Sequence, residues 1–186
     1  TGAILFVVRR ADGDGPDDDG ATLPMFLAGQ TSTITVFVTN TTGGDAKLTV
    51  FVDWNDDGDF NDAGEMIATT VSNGTNGIVN VSVPVPLNAT LNSDLGIRIR
   101  LSTDPLASMN PSGPAPDGEV EDYMAQVMAF DYGDLPDSGP GTGPNNYQTQ
   151  TADNGPSHKI YPGLKLGASV DTEPDGQQSA LANGDG

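Results

Sequence analysis

The chain alternates short apolar runs of period two with clusters of turn-forming residues, and this pattern restricts its fold more than any other feature. In Thr33–Asn40, for example, Ile34, Val36 and Val38 would share one face of a strand while polar residues occupy the other. Similar runs predict strands at Thr33–Asn40, Leu48–Trp54, Met66–Val71, Ile78–Val85, Gly96–Ser102 and Glu119–Phe130. With no convincing helical period, the sequence predicts an all-β fold, an antiparallel β-sandwich of about 7–9 strands.

The segment after Phe130 has a different composition. It is rich in Asp, Gly and Pro, and within it only Ile160–Leu166 resembles a strand. We therefore divide the chain into three parts. Residues 1–19 are expected to form an N-terminal strand and an acidic linker, residues 20–130 the sandwich, and residues 131–186 a loop-rich module or linker. Pro84 and Pro86 indicate that the fourth predicted strand lies at a sheet edge or ends there.

Ala3–Val8 is a six-residue apolar run that is long enough for a strand buried on both faces. An unpaired hydrophobic strand near a terminus is prone to aggregate, so it requires a partner. Two alternatives remain open: the run pairs within its own sheet, or it is donated to a neighbouring copy of the chain.

The charge balance excludes several classes of partner. The chain has 7 Lys and Arg against 26 Asp and Glu, a formal net charge of −19. Nucleic acid and anionic membranes require a basic face, which this composition does not supply. No apolar stretch approaches the ~20 residues of a membrane span. The chain has no Cys, so bound metal is the expected substitute for disulfides in a protein with many loops.

An acidic loop follows the second predicted strand. Its residues Asp53, Asn55, Asp57, Gly58 and Asp59 have the D-x-N-x-D-G order of calcium loops, in which alternate oxygen-bearing side chains point inward. The match to an EF-hand is imperfect because Glu65 comes one residue late and the loop follows a strand. We therefore predict a calcium loop mounted on a β-sheet, with a solvated acidic turn as the alternative. The proposed ligands are Asp53, Asn55, Asp57, Asp59, Asp62 and Glu65.

Three further groups of acids are candidate calcium ligands. The first lies in the Gly/Asp linker Asp12–Gly20, the second in the last strong strand, and the third near the C-terminus. Their members are Asp17 and Asp19; Glu119 and Glu121; and Asp171, Glu173 and Asp175, with Asp185 nearby. Glu119 and Glu121 lie two residues apart, so a glycosidase acid–base pair is the alternative for them. We favour metal binding or loop bracing.

The sequence gives little support for an enzyme. Ser157 and His158 are adjacent, whereas a catalytic Ser must face the imidazole ring in space. With one His and no Cys, zinc is not expected, and there is no phosphate-binding or dinucleotide motif. We therefore expect a non-enzymatic protein. Trp54 and Tyr123 are expected in the core, with an exposed platform for sugar as the alternative.

Two arginines and four asparagines lead to further predictions. Arg98 and Arg100 alternate with apolar residues, so they are expected to point away from the core and to pair with acids across the sheet. Four Asn residues begin N-x-S/T sequons, which could carry glycans where the side chain is exposed. They are Asn40, Asn73, Asn80 and Asn88. Whether they are modified is left open by the sequence.

Three segments together carry a resemblance to a known family: FVDWNDDGDFNDAGE, GIRIRLS and DGEVEDYMAQV. The chain resembles the GEVED family of bacterial secreted β-sandwich modules, whose motif is spelled here by residues 118–122. The resemblance covers about residues 20–130. The segment from DYGDLPDSG to the C-terminus is similar to the Asp-rich segment that precedes such modules in long surface proteins. The resemblance implies an extracellular module.

The two ends of the chain lead to one further expectation. In the arrays that the chain resembles, a stretch like Asp17–Ala21 (DDDGA) follows a Gly/Asp segment like the terminal ANGDG. The chain is therefore expected to be one unit of a head-to-tail array, or one subunit of a polymer. Residues 1–16, which contain the apolar run, are additional to this pattern. No internal repeat is visible.

These observations lead to two functional hypotheses. The first is a calcium-stabilised structural repeat or subunit of an extracellular fibre or adhesin, joined head to tail with neighbouring copies. The alternative is a carbohydrate- or protein-binding accessory module of a secreted hydrolase, which would bind through loops near Trp54 and Asp104–Pro116.

Overall fold

The computed structural model describes residues 9–10, 19–161 and 163–184. The predicted strand Ala3–Val8, the candidate ligand Asp17 and Asp185 lie outside the described residues. Two β-sheets form most of the molecule. The sandwich that they build confirms the predicted all-β class, and the eight strands that it has among the described residues fall within the predicted 7–9.

The larger sheet, sheet A, has five strands in the order β1-β9-β8-β5-β6. Its strand bounds are β1 Arg9–Arg10, β5 Ala46–Val52, β6 Met66–Val71, β8 Leu95–Ser102 and β9 Glu119–Ala125. All neighbouring strands in it are antiparallel. Strand β5 lies between β8 and β6 and is buried on both faces, apart from the partly exposed Lys47.

The smaller sheet, sheet B, has three strands in the order β2-β4-β7. Their bounds are β2 Ala21–Thr22, β4 Thr31–Thr39 and β7 Asn76–Pro84. Strands β4 and β7 pair along their full length, from Thr31 opposite Pro84 to Thr39 opposite Asn76. Burial alternates along β4, so Ile34, Val36 and Val38 face sheet A, whereas the threonines and Phe37 face outward. As Pro84 indicates, β7 ends at this residue and lies at an edge of the sheet.

The core lies between the two sheets and is made of alternating aliphatic side chains. It includes Ile34, Val36 and Val38 from β4, Val81 and Val83 from β7, Leu48, Val50 and Val52 from β5, Ile97 and Ile99 from β8, and Tyr123 and Ala125 from β9. Short elements close one end of this core: β3, Phe26–Leu27, runs parallel to β10, Val127–Met128. There Phe26 contacts Trp54 edge to face, with ring centroids 5.5 Å apart.

The outer face of sheet A is also covered. The connection between β8 and β9 contains the short helix α1, Pro105–Ser108, which Asp104 caps by accepting hydrogen bonds from Leu106 N and Ala107 N. Carbonyl groups of this connection accept hydrogen bonds from Arg98 and Arg100 on β8. The two arginines therefore leave the core as predicted, but Arg100 is buried beneath this connection, whereas Arg98 stays partly exposed.

The C-terminal segment is mostly loop, as its composition predicts. Strand β11, Phe130–Tyr132, pairs with β12, Ser157–Lys159, and a 3₁₀ turn covers Thr151–Asp153. The predicted strand Ile160–Leu166 is wrong: Ile160 is buried in the core cluster, and a single bridge joins Tyr161 to Leu164. The described part of this region contains no helix long enough to cross a membrane. The proposed division of the chain into three parts stays a prediction.

Candidate functional site

The acidic loop begins where β5 ends and is held by its first carboxylate. Asp53 is 5% exposed, and its two oxygens accept hydrogen bonds from Asp57 N at 3.1 Å and Gly58 N at 3.0 Å. Gly58 has a φ of 92°, a conformation that favours glycine. Asp57 Oδ1 accepts from Asp59 N at 3.1 Å, so the backbone curls step by step around the acidic side chains. This is the tight turn that the D-x-N-x-D-G order predicts.

Asn55 lies between two carboxylates of the loop. Its Nδ2 donates to Asp57 Oδ2 at 3.0 Å and to Asp62 Oδ2 at 2.6 Å. The amide thus places two partially positive hydrogens where the carboxylates converge. A cation at this position would instead require the Oδ1 atom, which a 180° turn of the amide group would supply. Asp57, Asp62 and Asn55 are therefore the members of the predicted set that the fold brings together most directly.

Glu65 closes the loop at the start of β6. It is 1% exposed, and its carboxylate accepts from Trp54 N at 2.9 Å and from Asp62 N at 3.1 Å. Burial raises the pKa of this carboxyl, the negative charges of Asp53 and Asp62 raise it further, and the two backbone hydrogen bonds oppose the shift. An ionised Glu65 is thus costly here, and a nearby cation would reduce that cost.

The two aromatic residues considered as a sugar platform are buried. Trp54 is 3% exposed and its Nε1 donates to Gly64 O at 3.2 Å, while Tyr123 is 2% exposed. Both are core residues, as the first alternative predicts. The loops near Trp54 therefore offer no aromatic ring from these two residues for stacking against a sugar.

A second acidic cluster lies beside the β11–β12 pair. Carboxylate oxygens of Asp131, Asp171 and Glu173 lie within 4.8 Å of one another, and within residues 9–10, 19–161 and 163–184 no other three acids or histidines approach so closely. Glu173 is 5% exposed and accepts from Tyr132 N at 2.9 Å. Asp171 and Glu173 were predicted as ligands, but Asp131 was not, because it lies 40 residues away on β11.

Asp175 does not join this cluster. Its Oδ1 accepts from Thr151 N at 2.7 Å, from Thr151 Oγ1 at 2.8 Å and from Gly176 N at 2.8 Å. These bonds, led by the one from the Thr151 backbone, hold the pKa of Asp175 below its usual value. Asp175 therefore fixes the 3₁₀ turn to the C-terminal loop.

Glu121 joins the two sheets. It is 7% exposed, and Oε1 accepts from Gly20 N at 2.9 Å and Asp19 N at 3.3 Å, while Oε2 accepts from the Tyr123 hydroxyl at 3.0 Å. Because β9 belongs to sheet A and Gly20 precedes β2 of sheet B, this carboxylate connects both layers. It braces a loop, one of the two roles favoured from sequence. Glu119 is exposed at the start of β9, and Asp19 contributes its backbone to this contact.

The other residues of the same motif also have local structural roles. Gly118 has a φ of 91°, and a Cβ atom there would lie 1.8 Å from Leu101 O, so no side chain fits. Asp122, on the outer face, accepts from Arg98 Nε at 2.7 Å and Nη2 at 2.5 Å. The hydrogen bond that Arg98 donates to the Asp122 carboxylate raises the pKa of the Arg98 guanidinium. The pairing predicted for Arg98 is therefore present.

The contacts of Arg100 differ from the predicted pairing with an acid across the sheet. It is 7% exposed and donates to the carbonyls of Ser112 at 3.1 Å and Gly113 at 2.8 Å, with a further bond to Asn110 O. At the base of the same connection, Asp117 accepts from the Thr103 hydroxyl, the Ser102 hydroxyl and Thr103 N, and these bonds lower the pKa of Asp117. We call residues 103–117, closed by these bonds, the strap.

Asp137 is a buried carboxylate that sequence analysis missed. It is 6% exposed and accepts from Thr149 N at 2.7 Å, Gln150 N at 3.1 Å and Gly139 N at 3.1 Å. The backbone amides of Gln150 and Thr149 lower its pKa. No local pattern in the sequence identifies it, because its main donors lie 12 and 13 residues further along the chain.

The remaining candidates are the four sequon asparagines and the adjacent Ser157 and His158. Asn40 is 2% exposed and its Nδ2 donates to Gly44 O and Val71 O, both at 3.0 Å, so its amide nitrogen is not accessible in the folded protein. The other three sequon asparagines are exposed. Ser157 and His158 are successive residues of β12, so their side chains leave opposite faces of the strand and do not form a nucleophile–base pair.

Comparison with known proteins agrees with the resemblance carried by the motifs. Residues 47–126 match the family model described as "GEVED domain", which includes the acidic loop, the strap and the β9 motif. No curated protein and no solved structure gave a significant match. GEVED domains are β-rich modules associated with extracellular proteins. Over residues 47–126, this chain is similar to the GEVED domain.

Proposed function

We propose that the chain is a calcium-stabilised structural unit of an extracellular fibre or adhesin, joined head to tail with neighbouring copies. The observation that carries the calcium part is the convergence of Asp131, Asp171 and Glu173 within 4.8 Å. Three carboxylates at this separation repel one another strongly unless a cation lies between them. Carboxylate oxygens are the ligands that Ca²⁺ prefers, and two of the three residues are partly or fully buried.

The acidic loop supports a second calcium site. Its oxygen donors Asp53, Asn55, Asp57, Asp62 and Glu65 surround one turn of backbone, and burial already raises the pKa of Glu65. A cation there would displace the Asn55 amide hydrogens from the carboxylates and offset the buried negative charge. Asp59, the remaining predicted ligand of this loop, accepts from Asn61 N at 2.8 Å.

Calcium would act on stability through linkage. Because it binds the folded loops and not the unfolded chain, it would add about 2.7 kcal/mol at a hundredfold excess over Kd. It would also reduce the repulsion within a chain of net charge −19 and order its Gly/Asp loops. The proposal is therefore a mechanical one: the ion stiffens a connecting unit and performs no chemistry, and no enzymatic activity is part of it.

The test is a calcium titration by isothermal calorimetry together with thermal unfolding in calcium and in EDTA. We expect calcium to raise the melting temperature, Asp171→Asn to weaken one site, and Asp57→Asn to weaken the other. Asp104→Asn is the matched control, since it removes one charge while Asn remains a good helix cap. Absence of calcium binding, with identical melting curves in calcium and EDTA, would overturn the proposal.

One observation favours a binding role as a second candidate. A cleft of about 470 Å³ opens beside the acidic cluster and is lined by Asp131 and Asp171 together with exposed apolar residues, among them Tyr161, Leu164 and Leu166. A calcium ion at the cluster would lie at its wall and could contact a bound ligand. A glycan array probed with and without calcium tests this candidate. Calcium-dependent retention of a glycan, lost in Asp171→Asn, would support it.

A further inference from the structure

Sheet B carries no charge in a protein that is otherwise strongly acidic. Residues 20–44 and 66–93 contain no Asp, Glu, Lys, Arg or His, and they include β2, β3, β4, β6 and β7. On the outer face of sheet B, Phe37 is 59% exposed and lies opposite Ile78, which is 66% exposed. Thr–Asn pairs flank them on both sides: Thr35 Oγ1 donates to Asn80 Oδ1 and Thr39 Oγ1 to Asn76 Oδ1, each at 3.2 Å.

The edge of this sheet is open along β7. Among the described residues β7 is hydrogen-bonded to β4 alone. Phe37 N donates to Gly20 O on the β2 side at 2.8 Å, so Phe37 and Ile78 form a non-hydrogen-bonded pair of the ladder. The N–H and C=O groups of Ile78 therefore point away from β4, and those of Asn80 and Ser82 follow with the period of two.

This edge lacks the features that protect exposed strands. Natural edge strands carry charges, lysines or bulges that prevent pairing with another chain. Strand β7 is nine residues long, has no charged residue, and carries proline only at its last position. Pro84 lacks an N–H but still offers a carbonyl oxygen, so it would accept from an opposing strand without donating.

We propose that β7 is a self-pairing edge, at which a second copy of this chain adds its own β7 in antiparallel orientation. Two copies that each carry a net charge of −19 repel each other wherever acidic surfaces meet, and the uncharged sheet B is where their backbones can approach. With a two-fold axis at Asn80, the centre of β7, Asn80 faces its own counterpart and Ile78 faces Ser82. Asn76 N–H then faces the Pro84 carbonyl.

The pairing makes one continuous sheet of two copies of sheet B and brings their Phe37 and Ile78 side chains onto one face. It goes beyond the proposed function, since a two-fold contact joins copies side by side and is distinct from a head-to-tail junction between units. A single strand pair is a small interface, so we expect dimers to form in a concentration-dependent manner.

Cysteine cross-linking tests the register, because the chain has no Cys of its own. Opposed residues in a hydrogen-bonded antiparallel pair have Cα atoms ~5.5 Å apart, within the range of a disulfide. Under mild oxidation Asn80→Cys should form a covalent dimer in high yield. The matched control is Ala68→Cys, on exposed β6 at the edge of sheet A.

Sedimentation of the cysteine-free protein gives the second readout. Wild-type protein should sediment faster as its concentration rises, and Ile78→Glu should abolish this shift, while Leu106→Glu, an equally large change at an 82% exposed position on α1, should not. Circular dichroism checks that each variant is folded. A monomer at all concentrations, or equal cross-linking of Asn80→Cys and Ala68→Cys, would overturn the inference. Neither readout requires calcium, so its failure is separable from that of the calcium proposal.

Discussion

Several buried carboxylates in this protein accept hydrogen bonds from backbone N–H groups of loops. Asp53, Glu65, Glu121 and Asp137 are each 7% exposed or less, and each accepts at least two backbone N–H groups. A carboxylate offers two oxygens and about four lone pairs, so it can satisfy loop amides that no neighbouring strand reaches. The acidic composition therefore has a structural role in the loops, whether or not metal is bound.

Glu121→Ala tests this role where the two sheets meet. The substitution would leave the N–H groups of Asp19 and Gly20 and the Tyr123 hydroxyl without their acceptor. We expect the free energy of unfolding to fall by about 2–3 kcal/mol, as measured by urea denaturation. The exposed neighbour Val120 provides the control, and Val120→Ala should change the stability by less than about 0.5 kcal/mol. Equal effects of the two substitutions would contradict the assigned role.

Gly118→Ala tests the turn that precedes β9. Its Cβ would overlap the Leu101 carbonyl, and its φ of 91° is unfavourable for any residue with a side chain. We expect a loss of at least about 3 kcal/mol in the free energy of unfolding. Gly43→Ala is the comparison, because Gly43 has a φ of 94° but open space around its Cβ position. A similar loss in both variants would show that conformation alone, and not contact with Leu101, requires glycine.

At the level of elements, the strap covers the outer face of sheet A. Thr49, Phe51 and Arg100 on that face are buried, and Phe51 also packs against Phe60 of the acidic loop. The outer face of sheet A is therefore covered in part and not fully exposed to solvent. Arg100 holds the strap by donating to its carbonyls, and Asp117 closes its base. The guanidinium of Arg100 thus donates to strap carbonyls that would accept from backbone N–H groups in a regular strand or helix.

Arg100→Lys should therefore loosen the strap without unfolding the sandwich. A lysine has one ammonium group and cannot reach the carbonyls of Asn110, Ser112 and Gly113 with the fixed fork of a guanidinium. We expect faster amide hydrogen exchange at residues 103–117, by roughly tenfold or more, with exchange in β4 unchanged. Arg98→Lys should have a smaller effect, since Arg98 is partly exposed and contacts the strap through the Pro111 carbonyl alone. Unchanged exchange in Arg100→Lys would contradict the assignment.

The sequence predicted the strands better than the contacts between loops. Met66–Val71 agrees with β6 at both ends, and the predictions for β4, β5, β7 and β8 agree with the structure to within two residues at each end, because alternation is a local signal. The two-residue strand β2 is too short to carry such a signal and was not predicted. Glu119–Phe130 was predicted as one strand, but the structure divides it among β9, β10 and β11, which pair with different partners. Periodicity does not specify the partner of a strand. For the same reason Asp131 and Asp137 were missed, since their neighbours are distant in the chain.

At the scale of the whole molecule, low pH and high pH should each destabilise the protein, and for different reasons. Asp117, Asp137 and Asp175 have lowered pKa values in the folded state, so their stabilisation is complete above their usual value of 3.8 and is lost as the pH falls through the lowered values. Glu65 has a raised pKa, so its ionisation reduces stability as the pH rises above 4.5. General repulsion among the carboxylates adds to the second effect.

Urea denaturation across pH 2–8 measures how the free energy of unfolding depends on pH. We call its decline toward low pH the acid limb and its decline toward high pH the upper limb. In EDTA and low salt we expect the free energy of unfolding to be largest at about pH 4–5 and to decline on both sides. Under the proposed function calcium should flatten the upper limb, because a cation bound at the two proposed sites would offset the negative charge of Glu65 and of the acidic cluster. Glu65→Gln should also reduce the slope of that limb, while it leaves the acid limb unchanged. An upper limb that neither calcium nor Glu65→Gln alters would contradict this account.

The neutral sheet B also gives the molecule an electrical polarity. All ionisable acids and bases lie outside residues 20–44 and 66–93, so among the described residues the negative charge is carried by sheet A, the loops and the C-terminal segment, and not by the β4–β7 pair. Near an anionic surface, such a body experiences a torque that turns its acidic parts outward into the solvent. The threonine-rich face is then the side that reaches this surface first, and in the proposed pairing two copies oriented in this way would present their neutral β7 edges to one another.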